Sequence, residues 1–151
     1  MQVDCVWGGN LYFEGKTGPF TVAMDTESPV GTDRAANPKQ LLLMSICGCA
    51  SMDVVSLLKK WKEPLEKHSV HADAPTTTGQ PSIFSEIILT FSLEGAIQVD
   101  KALEAVKLSM TKYCGVSAMV FKTSPIRYEV LLNNNKIGAG VAKFELPAQE
   151  A

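Results

Sequence analysis

The chain has 151 residues, a hydrophobic share of 46%, a charged share of 20% and a formal net charge of −2. That length suits one domain around one core, and the balance is that of an ordinary globular protein. A charge so close to neutral gives no electrostatic reason to expect nucleic acid, and no stretch reaches the ~18 consecutive apolar residues of a membrane span. A cytoplasmic protein with neither nucleic-acid nor membrane partners is expected.

The first quarter reads as an antiparallel meander of short strands. These run from Val3 to Trp7, from Leu11 to Glu14 after the turn Gly8-Gly9-Asn10, and from Phe20 to Asp25 after Gly15-Lys16-Thr17-Gly18. The stretch Thr26 to Ala36, with Pro29 and Gly31, has turn composition and predicts a loop. Asn37-Pro38-Lys39-Gln40 predicts a helix start, since Asn caps, Pro suits the first helical position and Gln40 completes a capping box. The helix is expected from about Pro38 to Lys62 and, being apolar or small over nearly all of Leu41 to Leu58, to be buried on most sides. Lys59, Lys60 and Lys62 suit its C-terminal dipole, and Pro64 stops it.

Beyond the helix, His68 to Ala74 and the clear alternation of Ile87, Leu89, Phe91 and Leu93 predict a second strand pair. Asp100 is placed to cap a helix reaching about Tyr113, with Leu103, Val106 and Met110 on one face. Cys114 and Gly115 end it, Gly115 to Lys122 offers one or two further turns, and Ile126, Tyr128 and Val130 alternate as a strand. Asn133-Asn134-Asn135 breaks the pattern, with room for one edge strand near Val141 to Leu146. The pattern as a whole is α+β, helices packed against antiparallel sheet.

Four cysteines, Cys5, Cys47, Cys49 and Cys114, are too few and too unevenly spread for a secreted disulfide scaffold, and no C-x-x-C pair points to zinc. Cys49 lies in the apolar helix and shares a face with Met52, Asp53 and Ser56. Cys47, two residues earlier, faces elsewhere and reads as structural. Cys114 precedes a glycine and a short helical turn whose amides would face its thiol and lower its pKa. Asp53 stands on an apolar helix, where a buried carboxylate needs a partner. His68 and His71 point to opposite faces of a strand, and His71 with Asp73 makes only two ligands, so no metal and no cofactor are expected.

Two separated runs then carry a resemblance. Asn37 to Val55, reading NPKQLLLMSICGCASMDVV, and Lys112 to Ser117, reading KYCGVS, are similar to the OsmC and organic hydroperoxide resistance superfamily, in the same order and over about Val3 to Leu131. The resemblance implies an OsmC-like fold over residues 1–132, a C-terminal extension over 133–151, and an intertwined homodimer with the central helices in its interface. It implies that Cys49 attacks a hydroperoxide, that Cys114 resolves the sulfenic acid to a disulfide, and that a dithiol reductant resets the pair. Members of the organic hydroperoxide resistance group carry a glutamate near the start of this helix and an arginine in the opening hairpins. Here the helix start reads Lys39-Gln40, so the carboxylate that would orient an arginine is expected to be missing. Arg34 is the nearest arginine, and Lys39 is an alternative source of positive charge.

The function expected is a thiol-dependent peroxidase for organic hydroperoxides, weakened by the lost glutamate. A module of the same fold that binds a small apolar or thiol-containing ligand is the alternative, and a structural protein with inert core cysteines is the third.

Overall fold

The computed structural model describes residues 1–145, and the chain forms two compact units, residues 1–44 and residue 45 onward. In the first unit, strands β1 (Asp4–Trp7), β2 (Phe13–Thr17) and β3 (Phe20–Met24) form an antiparallel sheet in that order. β2 starts two residues later than its apolar pattern suggests, because Leu11 and Tyr12 are used in the turn. Gly8 N–H donates to Tyr12 C=O at 2.9 Å and Tyr12 N–H to Gly9 C=O at 3.0 Å, with Gly9 and Asn10 both at positive φ.

The loop after β3 is wound around a buried carboxylate. Asp25 accepts from the backbone N–H groups of Thr26, Thr32 and Arg34 and from the Thr32 hydroxyl. Gly31 lets the loop close, since a Cβ there would lie 2.1 Å from the Thr26 carbonyl oxygen. The Thr32 hydroxyl foremost, with the three amides, holds the Asp25 carboxyl at about 2, below its ordinary 3.8. A carboxyl depressed in this way stabilises the fold above its unfolded pKa and loses that contribution as the pH falls through its folded value. The Asp25→Asn variant is therefore expected to melt at a temperature that changes less between about pH 4 and 2 than the parent's, as followed by circular dichroism.

Helix α1 (Pro38–Lys60) begins with the predicted capping box: Gln40 N–H donates to Asn37 Oδ1 at 2.9 Å and Asn37 N–H to Gln40 Oε1 at 2.8 Å. It ends two residues before Lys62, which takes a left-handed φ of 61° while Glu63 N–H reaches back to Leu58 C=O. The expectation of burial on most sides is corrected. Within the chain only the stripe Ile46, Ala50, Val54 and Leu58 is fully covered, while Leu42, Met44 and Met52 are exposed.

In the second unit, β4 (Leu65–Asp73), β5 (Ile87–Gly95), β6 (Ile126–Leu132) and β7 (Asn135–Val141) form a four-stranded sheet in that order. β5 and β6 run parallel rather than antiparallel, because a helical crossover joins them. The crossover is α2 (Val99–Leu108), a π-helical turn (Ser109–Tyr113) and α3 (Gly115–Val120). Gln98, not Asp100, occupies the cap position of α2, and Asp100 lies inside its first turn. One sheet face is the core: Ile87, Leu89, Phe91 and Leu93 on β5 and Ile126, Tyr128, Val130 and Leu132 on β6 are all buried.

The edge strand β7 is earlier than the predicted 141–146. Asn133 and Asn134, both at positive φ, make the turn into it. It pairs with β6, so the one edge strand allowed for in the C-terminal extension falls at residues 135–141, and Leu146 lies outside the described residues.

Candidate functional site

One turn of α1 separates Cys49 from Asp53, which places both on one side of the helix. Cys114 reaches the same point from the crossover. The π turn before it closes with Cys114 N–H donating to Ser109 C=O at 3.0 Å, a bond between residues five apart that brings both to one side. The sulfurs of Cys49 and Cys114 and a carboxylate oxygen of Asp53 all lie within 4.8 Å of one another, and none of the cysteines is in a disulfide. Cys114 is fully buried, and Cys49 and Asp53 are half-buried.

Two serines position this group. Ser109 Oγ donates to Asp53 Oδ2 at 2.9 Å, and Ser117 N–H donates to Cys114 Sγ at 3.4 Å while the Cys114 thiol donates to Ser117 Oγ at 3.0 Å. The sequence pattern missed both. Ser109 has a signal, being a buried polar residue on the apolar stripe of Ala102, Ala105, Val106 and Met110. Ser117 stands three residues after Cys114, the spacing at which a cap receives an amide.

The amide predicted to face Cys114 is present, yet the predicted drop in its pKa is reversed. Burial is the largest influence and pushes the thiol up to about 11, Ser117 offsets only part of this, and the neighbouring Cys49 adds to the rise. Burial also raises the Asp53 carboxyl above its usual range, with the Ser109 hydroxyl acting in the opposite direction. Cys47 is half-buried and its thiol is likewise pushed up by burial.

His68 fastens α1 to the sheet. Its Nδ1–H donates to the Ser92 carbonyl at 3.0 Å, so in the neutral ring Nε2 accepts from the Ser51 hydroxyl at 3.2 Å, and the ring stacks on Phe91. Burial lowers its pKa, in keeping with this neutral form. His71 and Asp73 are exposed.

The remaining predicted residues belong to the first unit. Arg34 has a carboxylate partner after all: its Nε lies 3.9 Å from Asp25 Oδ2 and donates to Thr32 Oγ1 at 2.8 Å, and its guanidinium lies 4.4 Å from the centre of the Tyr12 ring. The helix start carries Lys39-Gln40 and no glutamate, as expected, and the carboxylate beside Arg34 is instead Asp25 of the loop. Gln40 is spent on the capping box, and Lys39 lies exposed in the first turn of α1.

α1 is long and apolar enough by length and composition to cross a membrane. Its buried stripe and its bonds from Ser51 and Asp53 are those of a helix packed against protein.

Two sheets, a central helix carrying Cys49 and a crossover delivering Cys114 beside it define the class of protein. The chain belongs to the OsmC-like protein family, whose profile matches residues 31–129 and so spans Cys49, Asp53 and Cys114. Protein YhfA of Escherichia coli (strain K12) is 33% identical over 135 residues, covering 87% of this chain and 98% of that protein. A hypothetical protein from Aquifex aeolicus VF5 has the same fold, with a TM-score of 0.77, 28% identity, and coverage of 87% of this chain and 96% of that one. An organic hydroperoxide resistance protein from Elizabethkingia anophelis, solved with thiocyanate bound, shares the fold at a TM-score of 0.66 and 16% identity, covering 89% of this chain and 97% of that one.

Proposed function

We propose that this chain is a cytoplasmic thiol-dependent peroxidase that reduces organic hydroperoxides through Cys49 and Cys114. The observation that carries the proposal is the approach of the two sulfurs to within 4.8 Å of each other and of Asp53. The Cys49 thiolate attacks one peroxide oxygen, the O–O bond breaks, and the alkoxide leaves as the alcohol after taking a proton. The resulting sulfenic acid condenses with the Cys114 thiol to a disulfide, releasing water. A dithiol reductant returns both cysteines to thiols and is itself oxidised to a disulfide.

Cys114 lies within reach of Cys49 but is poorly charged for attack, because burial keeps it protonated. Asp53, beside both sulfurs, is the group we assign to take the Cys114 proton as the disulfide forms. Peptide mapping of the reduced protein after one equivalent of cumene hydroperoxide tests the cycle. Loss of two hydrogens with a Cys49–Cys114 link is the expected result, and an unchanged mass would defeat it. The raised Cys114 pKa favours one second reading, a module that binds an apolar or thiol ligand without turnover, and an unchanged mass would move the assignment there.

We further propose a homodimer. Within the first unit Trp7 and Phe20 are 65% and 69% exposed, and in the second Met52 is 75% exposed, large apolar side chains that a partner chain would cover. Light scattering is expected to return about twice the 16.3 kDa chain mass, falling toward one chain in Met52→Glu. A monomeric parent protein would exclude the dimer.

A further inference from the structure

We infer that Cys49, Asp53 and Cys114 form a binding site for a thiophilic divalent cation of the zinc type, independently of the peroxidase proposal. Two sulfurs and a carboxylate converging from two elements are the donor set of an open tetrahedral site, in which three protein ligands leave the fourth position to water or a small ligand. Zinc–sulfur bonds of ~2.3 Å and zinc–oxygen bonds of ~2.0–2.2 Å place tetrahedral donors about 3.6–3.8 Å apart. The present ceiling of 4.8 Å is reached from that geometry by side-chain adjustments on the order of 1 Å.

The groups behind the ligands are also in place. Ser109 holds one oxygen of Asp53 by a hydrogen bond and is itself buried, while a carboxylate accepts at both oxygens. Ser117 aims its backbone N–H at Cys114 Sγ, and its hydroxyl lies within bonding distance of the same sulfur. Once Cys114 loses its proton, both Ser117 groups donate to the thiolate, the arrangement that orients and supports a metal ligand. The side-chain bonds of Asp53 and Cys114 run to Ser109 and Ser117, and no lysine or arginine is among them, so the positive charge that would settle three anionic donors falls to the cation. Both cysteines bind the ion as thiolates.

Cobalt(II) is the probe. Titrated without oxygen into the reduced protein, it is expected to give a thiolate-to-cobalt charge-transfer band and the visible bands of a tetrahedral ion, saturating at one cobalt per chain and displaced by zinc. Cys49→Ser and Cys114→Ser each remove the charge-transfer contribution of one thiolate and weaken binding, whereas Cys5→Ser and Cys47→Ser leave the titration unchanged. Ser109→Ala and Ser117→Ala, which alter no ligand, weaken binding about 10- to 100-fold. No charge-transfer band in the parent protein, or a band lost in Cys5→Ser or Cys47→Ser, overturns the inference. A protein that consumes peroxide but binds no cobalt loses this site and keeps the proposed activity, and the reverse result separates them equally.

Discussion

Replacing Cys49 by serine is expected to reduce hydroperoxide consumption to the uncatalysed background, while Cys114→Ser preserves a single turnover and stops there. A serine hydroxyl in the same half-buried position is far too weak an acid to supply the anion that attacks an O–O bond. Without Cys114 the first chemical step is intact, but the sulfenic acid has no partner within reach, so it accumulates and is captured by a cyclic diketone reagent. The pH dependence separates the roles further. A thiol with a pKa of about 11 gains about tenfold in thiolate for each pH unit below that value, so an unaided Cys114 would form the disulfide with that slope. With Asp53 taking its proton, the parent is expected to show a much flatter profile, and Asp53→Asn to restore the steep one. Equal slopes in the two proteins, followed by rapid-mixing kinetics of disulfide formation, would remove Asp53 from the step.

The largest effect on stability is expected at Phe91. Its side chain is fully buried at the centre of β5, paired across to Val70 on β4 and Val130 on β6, and its ring meets His68 face to face and Tyr128 edge on. Truncation to alanine leaves a cavity that neighbouring β-strands cannot collapse around, at a cost of about 3–5 kcal/mol. For a chain of this size that corresponds to a fall of roughly 6–20 °C in melting temperature. The loss also releases the ring that His68 stacks on, and through Ser51 it loosens α1 beside Cys49. Phe91→Leu is expected to cost under about 1.5 kcal/mol. Thermal denaturation of the two variants makes the comparison, and a drop below about 2 °C for alanine would contradict this account of the core.

Elements governed by local pattern were legible before the structure. The alternation of Ile87 to Leu93, the capping box of α1 and the short helix after Cys114 all follow from neighbouring residues, and each is present. What depends on distant partners was not. The parallel pairing of β5 with β6 is decided by the crossover, and the choice of Gln98 over Asp100 as cap follows from Gln98 docking its backbone and amide on Glu63. The site shows the same division. Cys49, Asp53 and Cys114 were singled out on chemistry and resemblance, but their convergence needed the fold, as did the serines behind them. Asp25 escaped notice because, at the end of a predicted strand, nothing in sequence distinguishes a carboxylate that is solvated from one that accepts four hydrogen bonds. The pKa of Cys114 was misjudged because the helix-end amide is readable in sequence and burial is not.

The π turn before Cys114 has one further consequence, for the length of the chain. It spends five residues on a loop that an α-helix closes with four, and both closures return the chain to the same side. Excising Lys112, which is exposed, would let Cys114 N–H close onto Ser109 C=O as an ordinary helical bond. The crossover thus holds one residue in reserve, at a place where shortening it keeps the thiol on the side turned toward Asp53.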